Sequence, residues 1–543
     1  VYVKKRRDHD AVREALRAGG FTPGLRDVDA VVAGLADPDE DIAREAERAL
    51  ARLGDAVLPS LTKRAGDERP AVRAGVMRVA GRIAPRSETA AGWIISGLQD
   101  SDARVKRHAA IALGKLRDSE AARAIEDALL AAWDRGPAPD LERAIAASLG
   151  KLGSTRAVER LRAGQMRDPE TSRVAGRASL MVARDLARKA PSAIDAERIL
   201  PQPVRIALLC RGGLERIVAE EARDCPGVAL VEPPIAGMGR VLVRLEGKLG
   251  NLFRIRTSTT FAAALLPVPL GESPEDAFAR ALSTEAAKTL LHGWTVGVVR
   301  YRIAWAGGGH HRARTWRAAQ ALTKLCPTWV NDPTESTWEA RAREEGGSLW
   351  VELHPRGLED PRFTYRVRDV PAASHPPLAA ALVRVAGPLP DDVVWDPFMG
   401  SGVELVERAL AGPYARLEGS DIDPRALDAA RANFAAAGVK DIALALADAT
   451  VHSPGPGKRT TLIVTNPPMG RRVARDGTLG SLLERFVDHA ADVLPAGGRL
   501  VWLSPLGAET TGRAAARGFA VTMDSEVDMG GFRARLQRFV RSK

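Results

Sequence analysis

DVVWDPFMGSGVELVERAL (392–410) and TTLIVTNPPMG (460–470) decide how the last third of this chain folds. The first is an apolar strand, a turn of small residues and then a helix. The second is a buried strand stopped by two prolines, which cannot continue a hydrogen-bonded ladder. Around them stand LEGSDID (417–423), DIALALADAT (441–450) and RLVWLSP (499–505), so strand and helix alternate as a doubly wound parallel sheet requires. AVTMDSEVD (520–528) and FRARLQRFV (532–540) complete the sheet as a hairpin around Gly530-Gly531.

Such sheets bind ligands outside the carboxyl ends of their strands. Gly400, Ser401 and Gly402 let a ligand approach the backbone closely, and the following helix presents free N–H groups. No lysine follows as a P-loop needs, and the spacing is not G-x-G-x-x-G, so the phosphate-binding readings fall away. Asp396-Pro397 ends the first strand instead, and a carboxylate there suits a cationic ligand bearing an amino-acid group, such as S-adenosylmethionine. Asp421-Ile422 follows the next strand, where a carboxylate can accept from both ribose hydroxyls. Asp448-Ala449 follows the third, where it can accept from an adenine amine. Each acid alone also reads as a helix cap, as Asp423-Pro424 does; three in successive strand-end slots point to one ligand. The chemistry converges on Asn466, Pro467 and Pro468. An exocyclic base amine is a poor nucleophile, because its lone pair is delocalised into the ring. Hydrogen bonds to the Asn466 oxygen and the Pro467 carbonyl favour a pyramidal nitrogen aimed at a methyl donor, so that catalysis is mainly positioning.

Upstream the texture is α+β: RIALLC (205–210) reads as a strand, GLERIVAEEA (213–222) as a helix and GRVLVRLEG (239–247) as an alternating strand. GGGHHRARTWR (307–317) offers His310, Arg312, Arg314 and Trp316 for phosphates and a base. It reads equally as a loop leading into a helix over 318–325. Its adjacent histidines have no third ligand nearby, so no metal is expected.

CRGGLERIVAEEA (210–222), NLFRIRTSTTFAAALLPV (251–268) and FTYRVRDVPAASHPPLAAALVRVAG (363–387), followed by DPFMGSG and NPPM, resemble the THUMP-type guanine-N2 RNA methyltransferases over roughly residues 205–543. The resemblance implies an RNA-gripping region, a connecting segment carrying the HPP, and a Rossmann-like class I domain that uses S-adenosylmethionine to methylate guanine N2 in rRNA or tRNA. Met469 departs from the pattern: it stands where the family places Tyr or Phe against the flipped base, and can pack on a ring only through its sulfur. Asn-Pro-Pro also resembles DNA adenine-N6 and protein glutamine methyltransferases. Both acceptors stay open, as does a scaffold that binds the cofactor without catalysis.

The front of the chain differs in kind. Asp41–Gly54, Ala71–Ala84, Arg104–Arg117 and Asp140–Gly153 align without gaps, with starts 30, 33 and 36 residues apart. Apolar residues fall at i, i+4, i+8 and i+11 in each, one face of a helix. The pattern resembles HEAT-like repeats, a solenoid in which each unit buries its face against its neighbours. Arg52, Arg82, Lys115 and Lys151 recur before the last apolar position and read as a stripe for phosphates, or as solvated cations that complement helix dipoles. A protein or ribosomal partner is the other occupant such a surface suits.

The expected division is therefore 1–198 helical repeats, 199–370 α+β THUMP-like region, and 371–543 methyltransferase domain. Charge follows it: 36 basic against 30 acidic residues over 1–200, 24 against 19 over 201–390, and 19 of each thereafter, within a total of +11. A polyanion fits the first two parts better than the third. At 543 residues several cores are needed, since single cores stop growing near roughly 250–300 residues. Three cysteines without C-x-x-C support neither a disulfide framework nor a zinc site and fit a reducing cytoplasm. No apolar run reaches membrane-spanning length, and a first residue of Val leaves a processed, truncated or alternative start open.

Overall fold

The computed structural model describes residues 8–83, 88–116, 120–152, 154–163, 168–271, 273–307, 311–371, 373–455, 459–470 and 478–542. It divides into two compact units, Val1–Ala190 and Pro191–Lys543. The boundary falls ahead of the expected 198/199 because Ser192–Ile194 is a strand paired antiparallel with Thr295–Gly297 in the second unit.

In the first unit the repeat helices are Glu40–Arg52, Pro70–Ile83, Ala103–Leu113 and Pro139–Leu152, continued by Pro169–Lys189. Their apolar faces are buried: Ile42, Ala46 and Leu50; Val72, Val76 and Ala80; Val105, Ala109 and Leu113; Ile145 and Leu149. Asp39, Asp102 and Asp168 cap three of these helices by accepting from first-turn N–H groups. Arginines tie one repeat to the next, as where Arg73 forks onto Asp100 at 2.7 and 2.8 Å. The helices close-pack at glycines that share one repeat position. A Cβ on Gly150 would stand 2.7 Å from Ala178 Cβ, and one on Gly114 2.7 Å from Ser148 Cβ.

The second unit holds two large sheets. Nine described strands form the first, in the order 228–230, 240–245, 204–209, 260–264, 348–354, 338–345, 300–305 and 330–331, with 268–269 also pairing on 348–354. The expected strand–helix–strand start is present as Val204–Leu209, Glu215–Arg223 and Arg240–Leu245. The second sheet runs 442–446, 416–421, 393–396, 462–465, 499–504, 533–541, 519–528. Its first five strands are parallel and its last two are the expected antiparallel hairpin. The linking segment, from 355 to the helix Pro376–Ala386, is strapped to both sheets. Buried Arg362 donates to the Ile255 and Ser258 carbonyls at 2.6 and 2.8 Å, and Arg256 forks onto Glu407 at 2.7 and 2.9 Å.

Candidate active site

Four parallel strands end side by side at Asp396, Asp421, Leu446 and Thr465, so the residues after them face one crevice. A cavity of about 560 Å³ lies there. Pro397, Gly400, Ser401, Asp421, Ile422, Asp448, Ala449, Asn466, Pro467, Pro468 and Met469 all line it. Asp396 and Gly402 support it from beneath. Gly402 starts the helix with φ +79°, and a Cβ on it would stand 2.6 Å from the Phe434 ring, so both conformation and space require glycine.

The acids divide into different roles. Asp421 accepts from the backbone N–H groups of Gly400 at 2.8 Å and Asp423 at 2.9 Å, so its first task is to tie the glycine turn to the neighbouring strand. Asp448 is exposed, and its Oδ1 accepts from the backbone and hydroxyl of Thr450, which hold its carboxyl below the usual range. Asp396 is wholly buried. Its Oδ1 accepts from Thr465 Oγ1 at 2.6 Å, while Oδ2 has no hydrogen-bond partner. Burial, and then the neighbouring Glu404, push the Asp396 carboxyl well above the ordinary range.

Sequence reasoning missed three polar residues here. Glu404 lines the cavity, accepts from Ser374 Oγ, and is raised to about 7 by burial and by Glu407. Ser374 also accepts from Asn466 Nδ2 at 2.8 Å, and Asn466 Oδ1 is left without a partner. Asn433, buried in an Ala-rich helix, donates to the Ser401 carbonyl at 2.9 Å and the Arg368 carbonyl at 2.8 Å, pinning the glycine turn to the linking segment. The available signals were a polar side chain inside an apolar helix and a serine inside the quoted HPP segment. Phe398 is the one aromatic ring among the described lining residues, held edge-to-face by Phe486 at 5.1 Å.

The other expected binding residues are not among those that line this cavity. Residues 312–325 form one helix, so Arg312, Arg314 and Trp316 sit on a helix rather than on the expected loop; His310 lies outside the described residues. Arg314 stacks 3.7 Å from the Trp305 ring centroid and pairs with Glu344, whereas Trp316 is exposed. In the repeats, Arg52 is taken by Glu45 at 2.8 Å and by the Phe21 carbonyl, and Arg82 by Glu47 at 3.4 Å. Burial lowers the ammonium pKa of Lys115, as do Lys151 and Arg82, so these cations lie near one another. The stripe thus narrows toward its Lys115–Lys151 end. No described helix is long and apolar enough to cross a membrane, and no metal-binding cluster of acids, His or Cys occurs among the described residues.

Residues 364–535 match the family model described as RMKL-like, methyltransferase domain, and residues 92–183 match the HEAT repeats model. The chain is 31% identical over 317 residues to a tRNA (guanine(6)-N2)-methyltransferase of Thermus thermophilus, covering 58% of this chain and 84% of that protein. It is 32% identical over 136 residues to a tRNA (guanine(10)-N2)-dimethyltransferase of Methanothermobacter thermautotrophicus, covering 25% of this chain and 39% of that one. The crystal structure of TrmN from Thermus thermophilus aligns with a TM-score of 0.51 at 26% identity, over 62% of this chain and 99% of its own.

Proposed function

The chain belongs to the RMKL-like methyltransferase family and carries HEAT repeats ahead of its catalytic unit; from that premise we propose that it methylates the N2 amine of a guanine in tRNA or rRNA. The residues fit S-adenosylmethionine. Asp396 Oδ2 and Ser401 Oγ are buried without partners beside a glycine turn, as a cationic amino-acid end requires. A cation brought to Asp396 would restore the charge that burial suppresses. Asp421 and Asp448 line the same cavity, and this reading assigns them to the ribose hydroxyls and the adenine amine. When bound, the cofactor supplies a methyl group on a sulfonium.

The observation that carries the reading is the Asn466 amide. Its nitrogen is committed to Ser374 and its oxygen is left to accept from an incoming amine. Phe398 and Met469 give the base an aromatic edge and a polarizable sulfur. Guanine is favoured over adenine and glutamine because both the Thermus and the Methanothermobacter relatives are named guanine-N2 enzymes. Arg312, Trp316, Lys115 and Lys151 are the exposed candidates for holding RNA elsewhere.

The test is incubation of the full chain with isotopically labelled S-adenosylmethionine and separated tRNA and rRNA, read by nucleoside mass spectrometry. N2-methylguanosine is expected, with Asn466→Ala at least about 100-fold slower, the scale on which misplacing a reacting group slows its reaction. Label in N6-methyladenosine, DNA or glutamine would reassign the acceptor, and undiminished transfer by Asn466→Ala would overturn the site.

A further inference from the structure

Asn466 has two amide orientations of nearly equal shape, and only one turns an acceptor toward the amine. We propose that Ser374 and Glu404 are positioning residues that select it: the Glu404 carboxylate fixes the direction of the Ser374 hydroxyl, which in turn fixes the Asn466 amide. This rests on the methyl-transfer reading of the site.

A serine hydroxyl has one hydrogen to give. Ser374 gives it to Glu404 Oε1, so toward Asn466 its oxygen can only accept, and it does so from Nδ2 at 2.8 Å. The flipped amide would set Asn466 Oδ1 against that oxygen, lone pair against lone pair. Protonating Glu404 removes the constraint. A neutral carboxyl can donate to Ser374, Ser374 can then donate to Asn466 Oδ1, and the NH₂ would turn to the cavity and repel a second NH₂. The direction of the hydrogen-bond chain is therefore tied to the charge on Glu404.

The surroundings place that charge in balance. Glu404 is faced by Asp396 from the strand end, by Glu407 on its own helix, and by Arg366 and Tyr365 from the linking segment. Burial and Glu407 raise its pKa, the Ser374 hydrogen bond and Arg366 lower it, and the outcome is about 7. Glu407 is itself held by Arg256 and by Tyr365, whose hydroxyl donates at 2.6 Å. Asp396, with one oxygen unpartnered, is likewise pushed well above the ordinary carboxyl range, by burial and then by Glu404.

The chain has four asparagines, 251, 331, 433 and 466, so asparagine-selective ¹⁵N labelling gives a spectrum sparse enough to follow one side chain. In the cofactor-free full chain, the Asn466 amide resonances are expected to titrate with a midpoint near 7. Both Glu404→Gln and Ser374→Ala should abolish that titration. A flat wild-type titration, or one that survives in both variants, overturns the proposal. In methyl transfer, Ser374→Ala is expected to lower kcat about 10- to 100-fold with little change in the KM for cofactor, the scale of removing a supporting hydrogen bond, while Ser374→Thr keeps most activity. Ser374→Ala at the wild-type rate with the wild-type pH profile would also overturn it. Asn466→Ala is run in parallel. If that variant keeps full activity, the reading of the site fails, while the resonance titration still decides the hydrogen-bond chain.

Discussion

The two units handle charge in opposite ways. In the repeats many acids, from buried Glu47 to exposed Asp140, have a cation within reach: Arg73 on Asp100, Arg78 on Glu47, Arg143 on Asp140 and Asp168. The exposed ones, such as Arg143 on Asp140, contribute little individually. At the catalytic crevice Asp396 and Glu404 are both wholly buried, close enough that Glu404 raises Asp396, and neither has a cation hydrogen-bonded to it among the described residues. The repeats solve a packing problem with a recurring helix face and give these acids a cationic partner. The crevice holds charge where it weakens the fold, which marks it as the place where the chain gives up stability for chemistry.

The largest effect that breaks this contrast is removal of the buried charge. Glu404 has its folded pKa raised from 4.5 to about 7, so the folded chain binds more protons than the unfolded chain between those values. Its stabilising contribution is fully present below pH 4.5 and is lost as pH rises through 7. A shift of that size corresponds to about 3 kcal/mol. Glu404→Gln keeps the volume and removes the ionisation, so it should become progressively more stable relative to wild type from about pH 5 to about pH 8, even as methyl transfer falls. Denaturant unfolding of the catalytic unit in the full chain across that pH range measures this. A stability difference that does not change with pH would mean that Glu404 is not titrating inside the fold.

The next effect sharpens the other side of the comparison. Gly81, Gly114 and Gly150 occupy one position of successive repeats, and each faces the next helix of the row at close range: Ala112, Ser148 and Ala178. Gly150→Ala would set its Cβ 2.8 Å from Ala178 Cα, so the helices must part. The expected cost is about 1–3 kcal/mol, typical of overpacking, read as a lower unfolding midpoint of the repeat unit with the catalytic cavity's cofactor affinity unchanged. Gly176→Ala, with open space at its Cβ, serves as the control.

These two predictions also show what could be read in the sequence. The repeat faces, the strand-end acids and Asn-Pro-Pro were legible because each is a local pattern: a period of 3.6, or a strand followed by a particular turn. The same alignment displayed the three glycines, but small residues at a seam carry no polarity signal, and only the helix crossing shows what they face. Ser374, Glu404 and Asn466 lie 92 residues apart end to end in the chain, and their hydrogen bonds depend on strand order, which no local pattern fixes. Asp421 also ties the glycine turn to the neighbouring strand, a role that a strand-end carboxylate does not display in the sequence because the turn's N–H groups reach it only in the folded sheet. The helix at 312–325 begins earlier than expected because arginines at 312, 314 and 317 are good helix formers, and their charge does not by itself signal a loop.

The smallest effect concerns the rim of the repeats. Arg52 and Arg82 are already engaged by Glu45 and Glu47, so phosphates have little left to gain from them. The charged neighbours that shift Lys115 are both cations, Lys151 and Arg82, and they lower its pKa; an anion there would relieve a standing repulsion. If RNA lies on this face, the double substitution Lys115→Glu, Lys151→Glu should weaken RNA binding and flatten the slope of log affinity against log salt by about 0.7–0.9 for each phosphate no longer neutralised. Arg52→Ala should leave that slope as it was. A filter-binding series across salt concentrations distinguishes the two, because the slope reports the counterions released from the RNA. An unchanged slope in the double variant, with methyl transfer intact, would take RNA off this rim and leave phosphate recognition to the second unit, where Arg312 and Trp316 stand exposed on one helix.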